Sequence, residues 1–200
     1  MKSIRMDLSG HYEKMKKYVC GMVPFSDERW EKFSQHLRFV QYPKNHLLCR
    51  EGEVEDKLYF ILSGIVRAFK VNPDGKEFSL YFNFANGFST SYDSFLTQEP
   101  AVINTQAITD MELFYLAHAD LQKLYEGSVE GERLGRLMAE QAYRRRLKHE
   151  MALQTLSASE RYRQLLQEHP DYIQLIPQKY LASYLGIEQE SLSRIKRQIF

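Results

Sequence analysis

Residues 178–197 read QKYLASYLGIEQESLSRIKR, and the apolar spacing within them sets the reading of the whole chain. Leu181 and Leu185 stand four apart and share one face of a first helix. Gly186 follows, a residue able to take positive φ at a tight helix end. Leu192 and Ile195, three apart, give a second helix its buried stripe, and Ile187 adds an apolar residue to the turn. Ala182 is small enough to let the two helices approach. The pattern is that of a helix-turn-helix, whose second helix enters the DNA major groove. An ordinary helical hairpin shares the short apolar spacing but not all seven restricted places.

Outward from this stretch, the charge is uneven. Residues 1–140 carry 17 Lys/Arg against 20 Asp/Glu, a net −3, while residues 141–200 carry 10 against 6, a net +4. A polyanionic partner would therefore meet the C-terminal third. Two hundred residues, 44% apolar and 26% charged, fit one large or two small globular domains. No apolar run reaches the length of a membrane span, and the start MKSIRMDLSGHYEKMKK has no apolar core behind its basic residues. A cytoplasmic location is expected. Cys20 and Cys49 read as small buried residues, too few for a disulfide framework and not spaced for a metal centre.

In chain order, residues 8–38 read as helical, broken at Pro24, with Ser26 as an N-cap for a helix through Leu37. From Arg38 to about His118 the period shortens. At least six strands are expected, among them Lys57–Leu62, Ile65–Val71 and Phe78–Phe82, the last two joined at Asn72-Pro73-Asp74-Gly75 as a hairpin. The strand pattern lapses between Phe88 and Pro100, where Tyr92–Leu96 reads as a short helix. The turn carboxylates Glu51, Glu53, Glu55 and Asp56 read as solvated. A long helix follows to about Leu153, bent near Gly127 or Gly131 and basic at Arg144, Arg145, Arg146 and Lys148. Ser157 and Glu160 form a capping box for a helix through Gln167. Tyr172–Ile176 reads as a brief extended segment, and Pro177 opens the helix-turn-helix.

This order of parts, with Glu51-Gly52-Glu53 and Tyr59-Phe60-Ile61-Leu62-Ser63-Gly64-Ile65-Val66-Arg67, resembles the cyclic-AMP receptor/fumarate–nitrate regulator (Crp/Fnr) superfamily of bacterial transcription factors. The segment looks like that family's G-x…-Y-x-I-x-x-G-x-V stretch. The resemblance implies an α+β chain. Residues 1–118 would hold a helical lead-in and a cyclic-nucleotide-binding-like antiparallel β-barrel (a double-stranded β-helix). Residues 119–154 would form a long dimerisation helix, and 155–200 a winged-helix-like helix-turn-helix. Family members continue into a β-hairpin wing; here the sequence stops at Phe200, so a wingless form is expected. The resemblance further implies a homodimer on double-stranded DNA, RNA polymerase as a partner, and half-sites about 34 Å apart. The matching contact positions are Gln189, Glu190 and Arg194, with Ser191 and Ser193 nearby. Arg194 suits guanine O6 and N7, Gln189 an adenine or a phosphate, and Glu190 cytosine N4. Lys196 and Arg197 suit phosphates.

The chain departs from the family where an effector would sit. Cyclic-nucleotide binders carry a segment resembling F-G-E-L with an Arg further on. Here the stretch is Phe88-Ser89-Thr90-Ser91-Tyr92, and no Arg occurs between Arg67 and Arg133. Burying a cyclic phosphate without that partner is costly, so cyclic AMP is not the expected ligand. The hydroxyl-rich stretch either lines a pocket for another small molecule or caps a helix in a filled barrel. No N-terminal cysteine cluster suggests iron–sulfur sensing, and His46 and His118 stand apart, so no metal or cofactor is expected. No nucleophile–base pair or phosphate loop suggests an enzyme. The competing reading is a small-molecule-binding or protein-interaction module with a degenerate DNA-binding domain.

Overall fold

Two amphipathic helices at the start of the described residues cover one sheet with Met15, Val19, Trp30 and Phe33. The computed structural model describes residues 8–199, with the side chains at 171 and 172 outside the description; the basic start at 1–7 and Phe200 therefore lie outside it. Helix α1 spans Ser9–Met22 and α2 spans Asp27–Ser34, with the Ser26 hydroxyl accepting the Arg29 amide at 3.3 Å. The predicted N-cap is thus in place, and α2 ends three residues before the expected Leu37.

Eight strands follow: β1 Arg38–Tyr42, β2 Leu47–Cys49, β3 Lys57–Ser63, β4 Ile65–Val71, β5 Glu77–Phe84, β6 Gly87–Ser89, β7 Asn104–Ala107 and β8 Met111–Ala117, with α3 at Tyr92–Thr97. They form two antiparallel four-stranded sheets, ordered β1-β8-β3-β6 and β2-β7-β4-β5. The expected barrel is therefore an open sandwich, with the two sheets separate and β5 free at an edge. The β4–β5 hairpin pairs Ile65 with Phe84 through Val71 with Glu77, as the Asn-Pro-Asp-Gly turn requires. Strand β6, inside the stretch that read as patternless, is only three residues long, too short for alternation to register.

Side-chain alternation sorts the sandwich into layers. Leu58, Phe60 and Leu62 of β3 face outward against Met15, Val19, Trp30 and Phe33 of α1 and α2. Tyr59 and Ile61 face inward with Val66, Ala107 and Leu113. On the far sheet Ile65 and Phe82 face outward again, against Leu181, Ala182 and Leu185. The order is helices, sheet, sheet, helices, and the C-terminal helices supply the last layer. Gly64 carries the chain from β3 in one sheet into β4 in the other at φ +97°, where a Cβ would come within 2.6 Å of the Asp110 carbonyl.

The expected long helix is two helices. α4 covers His118–Gly127 and α5 Val129–Thr155, with Ser128 extended between them and its hydroxyl accepting the Gly131 amide at 2.8 Å. The break falls at the predicted bend, because Ser128 caps a new helix better than it continues an old one. α6 (Ala158–Glu168) begins with the full Ser157/Glu160 capping box. The segment expected to be extended instead begins as a helical turn, α7 (Pro170–Ile173), because Pro170 is well placed to open one. α8 (Gln178–Tyr184) and α9 (Gln189–Ile199) complete the chain's described part.

Candidate nucleic-acid interface and sensor interior

The helix-turn-helix is built as its spacing requires. Leu181, Ala182, Leu185 and Leu192 are buried, and Gly186 turns at φ +68°. The Ile187 amide donates to the Ala182 carbonyl at 3.0 Å, closing the turn. Arg161 of α6 braces it from below: Nε and Nη2 donate to the Leu185 carbonyl at 3.1 and 2.7 Å, and Nη1 donates to the Leu156 carbonyl. One guanidinium thus ties the turn to the end of α5.

On α9 the predicted contact residues fall on the outer side. Gln189, Glu190, Arg194 and Arg197 are exposed, while Ser191, Ser193 and Lys196 are half-buried at the flanks. Glu190, Arg194 and Arg197, at i, i+4 and i+7, share one stripe. Arg194 Nη2 donates to Ser191 Oγ at 3.2 Å, which draws the side chain back along the helix. Lys196 and Arg197 lie in the last turn and Glu190 in the first, each favoured there by the helix dipole. The basic stretch of α5 is exposed as well; Lys148 pairs with Glu168 of α6 rather than with an acidic residue of the sandwich.

The predicted effector stretch divides. Phe88 packs outward against Phe60 and Tyr18 at 5.3 and 5.9 Å between ring centroids, on the helical side of its sheet. Ser89 is buried and accepts the Asn83 side-chain amide at 3.1 Å. Thr90 donates to the Lys57 carbonyl at 2.9 Å, and its own carbonyl accepts the Tyr81 hydroxyl at 3.4 Å. Ser91 is buried at the start of α3, and burial pushes the phenol of half-buried Tyr92 up.

Sequence reasoning missed the charged group nearest this stretch. Glu55 is only 3% exposed, unlike its neighbours Glu51, Glu53 and Asp56, which are solvated as expected. Its amide donates to Ser94 Oγ at 3.0 Å, its Oε1 accepts the Lys57 amide at 3.0 Å, and its carbonyl accepts Gln98 Nε2 at 3.1 Å. Oε2 has no hydrogen-bond partner. Burial pushes the carboxyl up to about 7, against the amides of Lys57 and Ser91, which pull it down. The Glu55 charge adds to two other upward shifts, that of the Tyr81 phenol and that of the Cys49 thiol, each pushed up to about 12 chiefly by burial. Cys49 is buried as expected, whereas Cys20 is half-buried. Among the described residues, no group of three or more His, Cys, Asp or Glu could hold a metal ion, and no helix is long and apolar enough to cross a membrane.

Residues 39–128 match the cyclic nucleotide-binding domain family. Over 188 residues, 88% of this chain and 89% of its relative, the sequence is 25% identical to the cAMP-activated global transcriptional regulator CRP of Escherichia coli. The chain is a homologue of the Crp/Fnr regulators. It is also 34% identical over 71 residues to the transcriptional activatory protein AadR of Rhodopseudomonas palustris, a match spanning 35% of this chain and 28% of AadR. The structure of FixK2 from Bradyrhizobium japonicum superposes with a TM-score of 0.73 at 20% identity, covering 82% of this chain and 84% of that one, which shows a shared fold. Homologues of this kind are transcription regulators.

Proposed function

We propose that this Crp/Fnr homologue is a cytosolic, dimeric, DNA-binding transcription regulator, not an enzyme, that reads a near-palindromic site through residues 189–197. The observation that carries the reading is the outward stripe of α9. Glu190, Arg194 and Arg197 are exposed on a helix whose other side is anchored by Leu192. Arg194 and Gln189 would read base edges, and Lys196 and Arg197 would hold phosphates, with Ser191 and Ser193 alongside. Residues 1–118, 119–154 and 155–200 divide as sensor, dimer helix and DNA reader. RNA polymerase is the further partner such a regulator would engage.

An exposed apolar stripe on α5 supports a dimer seam there. Tyr143, Leu147 and Met151, at i, i+4 and i+8, are 67%, 41% and 55% exposed. An unpartnered apolar stripe on a 27-residue helix fits a second copy packed along it. The groove between α5 and α6, lined by Leu147, Met151, Ala152 and Leu156, continues that seam.

Cyclic AMP does not suit the sensor as its effector. The interior around Ser89, Thr90 and Ser91 offers hydroxyls and the Glu55 carboxyl. Arg67, at 0% exposure, hydrogen-bonds Ser79 and Glu77 on the outer face of its sheet, away from that interior. An anionic phosphate there would meet a carboxyl in place of a guanidinium.

The test is selection from random duplexes at low salt, with cell extract supplied as a source of effector. Enrichment of a near-palindromic site is expected. An unenriched pool, from folded protein, overturns the reading. Within an enriched site, Arg194→Ala should relax one base position at a cost of about 1–3 kcal/mol. An equal loss on every sequence would make Arg194 a phosphate contact instead. Met151→Lys should shift the sedimenting species from dimer to monomer, and an unchanged dimer would place the seam elsewhere.

A further inference from the structure

We propose that Arg67, a residue of the sensor sheet, is a positioning residue for the DNA reader, latching α8 onto the free edge of β5 and so fixing where α9 stands relative to α5. The proposal rests on the reading of α9 as the DNA-contacting helix.

Arg67 lies on the outward face of β4. With Tyr180 of α8 packed over it, its side chain is fully buried. Burying a guanidinium is costly unless its charge and N–H groups are matched. Here the match is shared between the two sides: β5 takes the charge and two of the nitrogens, Nη2 has no hydrogen-bond partner, and α8 supplies a ring to the guanidinium face. Nε donates to Ser79 Oγ at 2.8 Å and Nη1 to Glu77 Oε2 at 2.6 Å, both on β5. The guanidinium carbon lies 4.4 Å from the ring centroid of Phe69 on its own strand and 3.6 Å from that of Tyr180 on α8. A planar cation between two rings has directional as well as energetic preferences. Arg67 therefore holds α8 at one place on the sheet.

The strand edge contributes the second half of the latch. β5 ends its sheet, so its outer N–H and C=O groups lack a strand partner. Ser183 of α8 fills both roles. Its hydroxyl accepts the Ser79 amide at 2.9 Å and donates to the Glu77 carbonyl at 3.2 Å. Beside it, Tyr184 meets Phe82 of β5 at 5.3 Å on one side and stacks on His149 of α5 at 4.2 Å on the other. Lys76 and Glu188 close the rim at 2.9 Å, but both are well exposed and add little.

The opposite side chains of β5 give the latch its significance. Tyr81 and Asn83, which alternate with Ser79 and Phe82 beyond the β-bulge, bond to Thr90 and Ser89 of the candidate effector stretch. One strand thus touches that stretch with one set of residues and the DNA reader with the other. A change in the interior that shifts β5 would be felt at Ser183 and Tyr180 through a single element.

The test measures the latch without DNA. Spin labels at positions 74, in the β4–β5 turn, and 198, on exposed α9, are placed on a Cys20→Ser background, and labelled chains are diluted with unlabelled ones so that only intrachain distances are read. The otherwise wild-type protein should give a single narrow distance. Arg67→Glu places like charges beside Glu77 and should abolish that peak while the circular dichroism stays native. The exchange Arg67→Glu/Glu77→Arg should restore it, which a general packing defect would not do. Ser183→Ala, a small change made from the reader's side, should also broaden the distance and serves if Arg67→Glu does not fold. A folded Arg67→Glu protein, or failing that a folded Ser183→Ala protein, that keeps the narrow wild-type distance overturns the proposal. Failure to select a DNA site would strike the reading of α9 and leave this distance result standing.

Discussion

Replacing Glu55 with Gln removes a titration that the fold has moved by more than two pH units. In an unfolded chain the carboxyl loses its proton near 4.5; in the folded protein burial holds it until about 7. A raised pKa has a definite sign. The folded state holds its proton more tightly, so the contribution favours folding below the unfolded value and is lost as pH rises through the folded one. Integrating between pH 5 and pH 8 at about 1.4 kcal/mol per unit gives about 2.5 kcal/mol of stability lost to this residue. Gln keeps an oxygen for the Lys57 amide but puts an unpartnered NH2 where Oε2 stands, at a pH-independent cost of about 1–3 kcal/mol. The absolute stabilities of the two proteins are therefore a poor guide, and their difference as a function of pH is a good one.

Urea unfolding of the full chain at pH 5 and pH 8 measures that difference, and titrations shared by both proteins cancel. The Gln variant should gain about 2.5 kcal/mol on the wild type between the two pH values. Carbon-detected titration of the Glu55 carboxyl reads the same quantity directly, with a midpoint expected near 7. Parallel stability curves with a midpoint between 4 and 5 would refute the argument, and would mean that water reaches the carboxyl in solution.

Three more outcomes follow from particular residues. Gly64→Ala adds a Cβ that meets backbone at 2.6 Å in a left-handed conformation, so it should cost more than about 2 kcal/mol in urea unfolding. Ser157→Ala removes the hydroxyl half of the α6 capping box and should cost about 1 kcal/mol, with the loss read as faster amide exchange in the first turn of α6. Acidification should loosen the C-terminal helices from the sandwich. His149 is held below its ordinary pKa by burial and then by Arg161 and Arg146. His169, stacked on Phe84 of β5 at 4.2 Å, is held down by burial first, with Arg145 and Lys148 reinforcing and Glu168 opposing. Depressed histidines favour the folded, docked state above about pH 6.5, and that contribution is lost as pH falls through their folded values. A His149→Phe/His169→Phe protein should keep its docked distance at pH 5.5 where the wild type broadens; identical behaviour would dismiss the histidines.

The elements that could be read from sequence are those whose cause is local. The Ser157/Glu160 box, the Asn72–Gly75 turn and the 181/185/192 spacing each act within a few residues, and each stands where expected. Element ends and the character of the β region could not be read so closely. Strand β6 has too few residues to alternate, Ser128 divides a helix whose apolar period continues through it, and whether two sheets close into a barrel depends on edge strands that no local signal pairs. On α9 the outward stripe follows from the helical period alone. In the sandwich Phe88 turned to the helical side because strand parity, which places Ser89 inward, puts its neighbour out.

Glu55 and Arg67 share the reason they were passed over. Each is a charged residue that a local reading assigns to solvent, and each is buried by something distant in sequence: Glu55 by α3, about forty residues later, and Arg67 by α8, over a hundred residues later. Burial of this kind is conditional. If α3 or α8 moves, the charge returns to water and regains its hydration, so the desolvation cost that opposes docking vanishes together with the contacts that support it. Apolar residues at the same positions would leave exposed hydrophobic surface behind and would hold the parts together more firmly. A charged residue at each contact lowers the penalty for opening it. In a chain whose two candidate sites are joined by one strand, that makes the α3 and α8 contacts the places where a bound molecule, a proton or a DNA site could shift the balance at least cost.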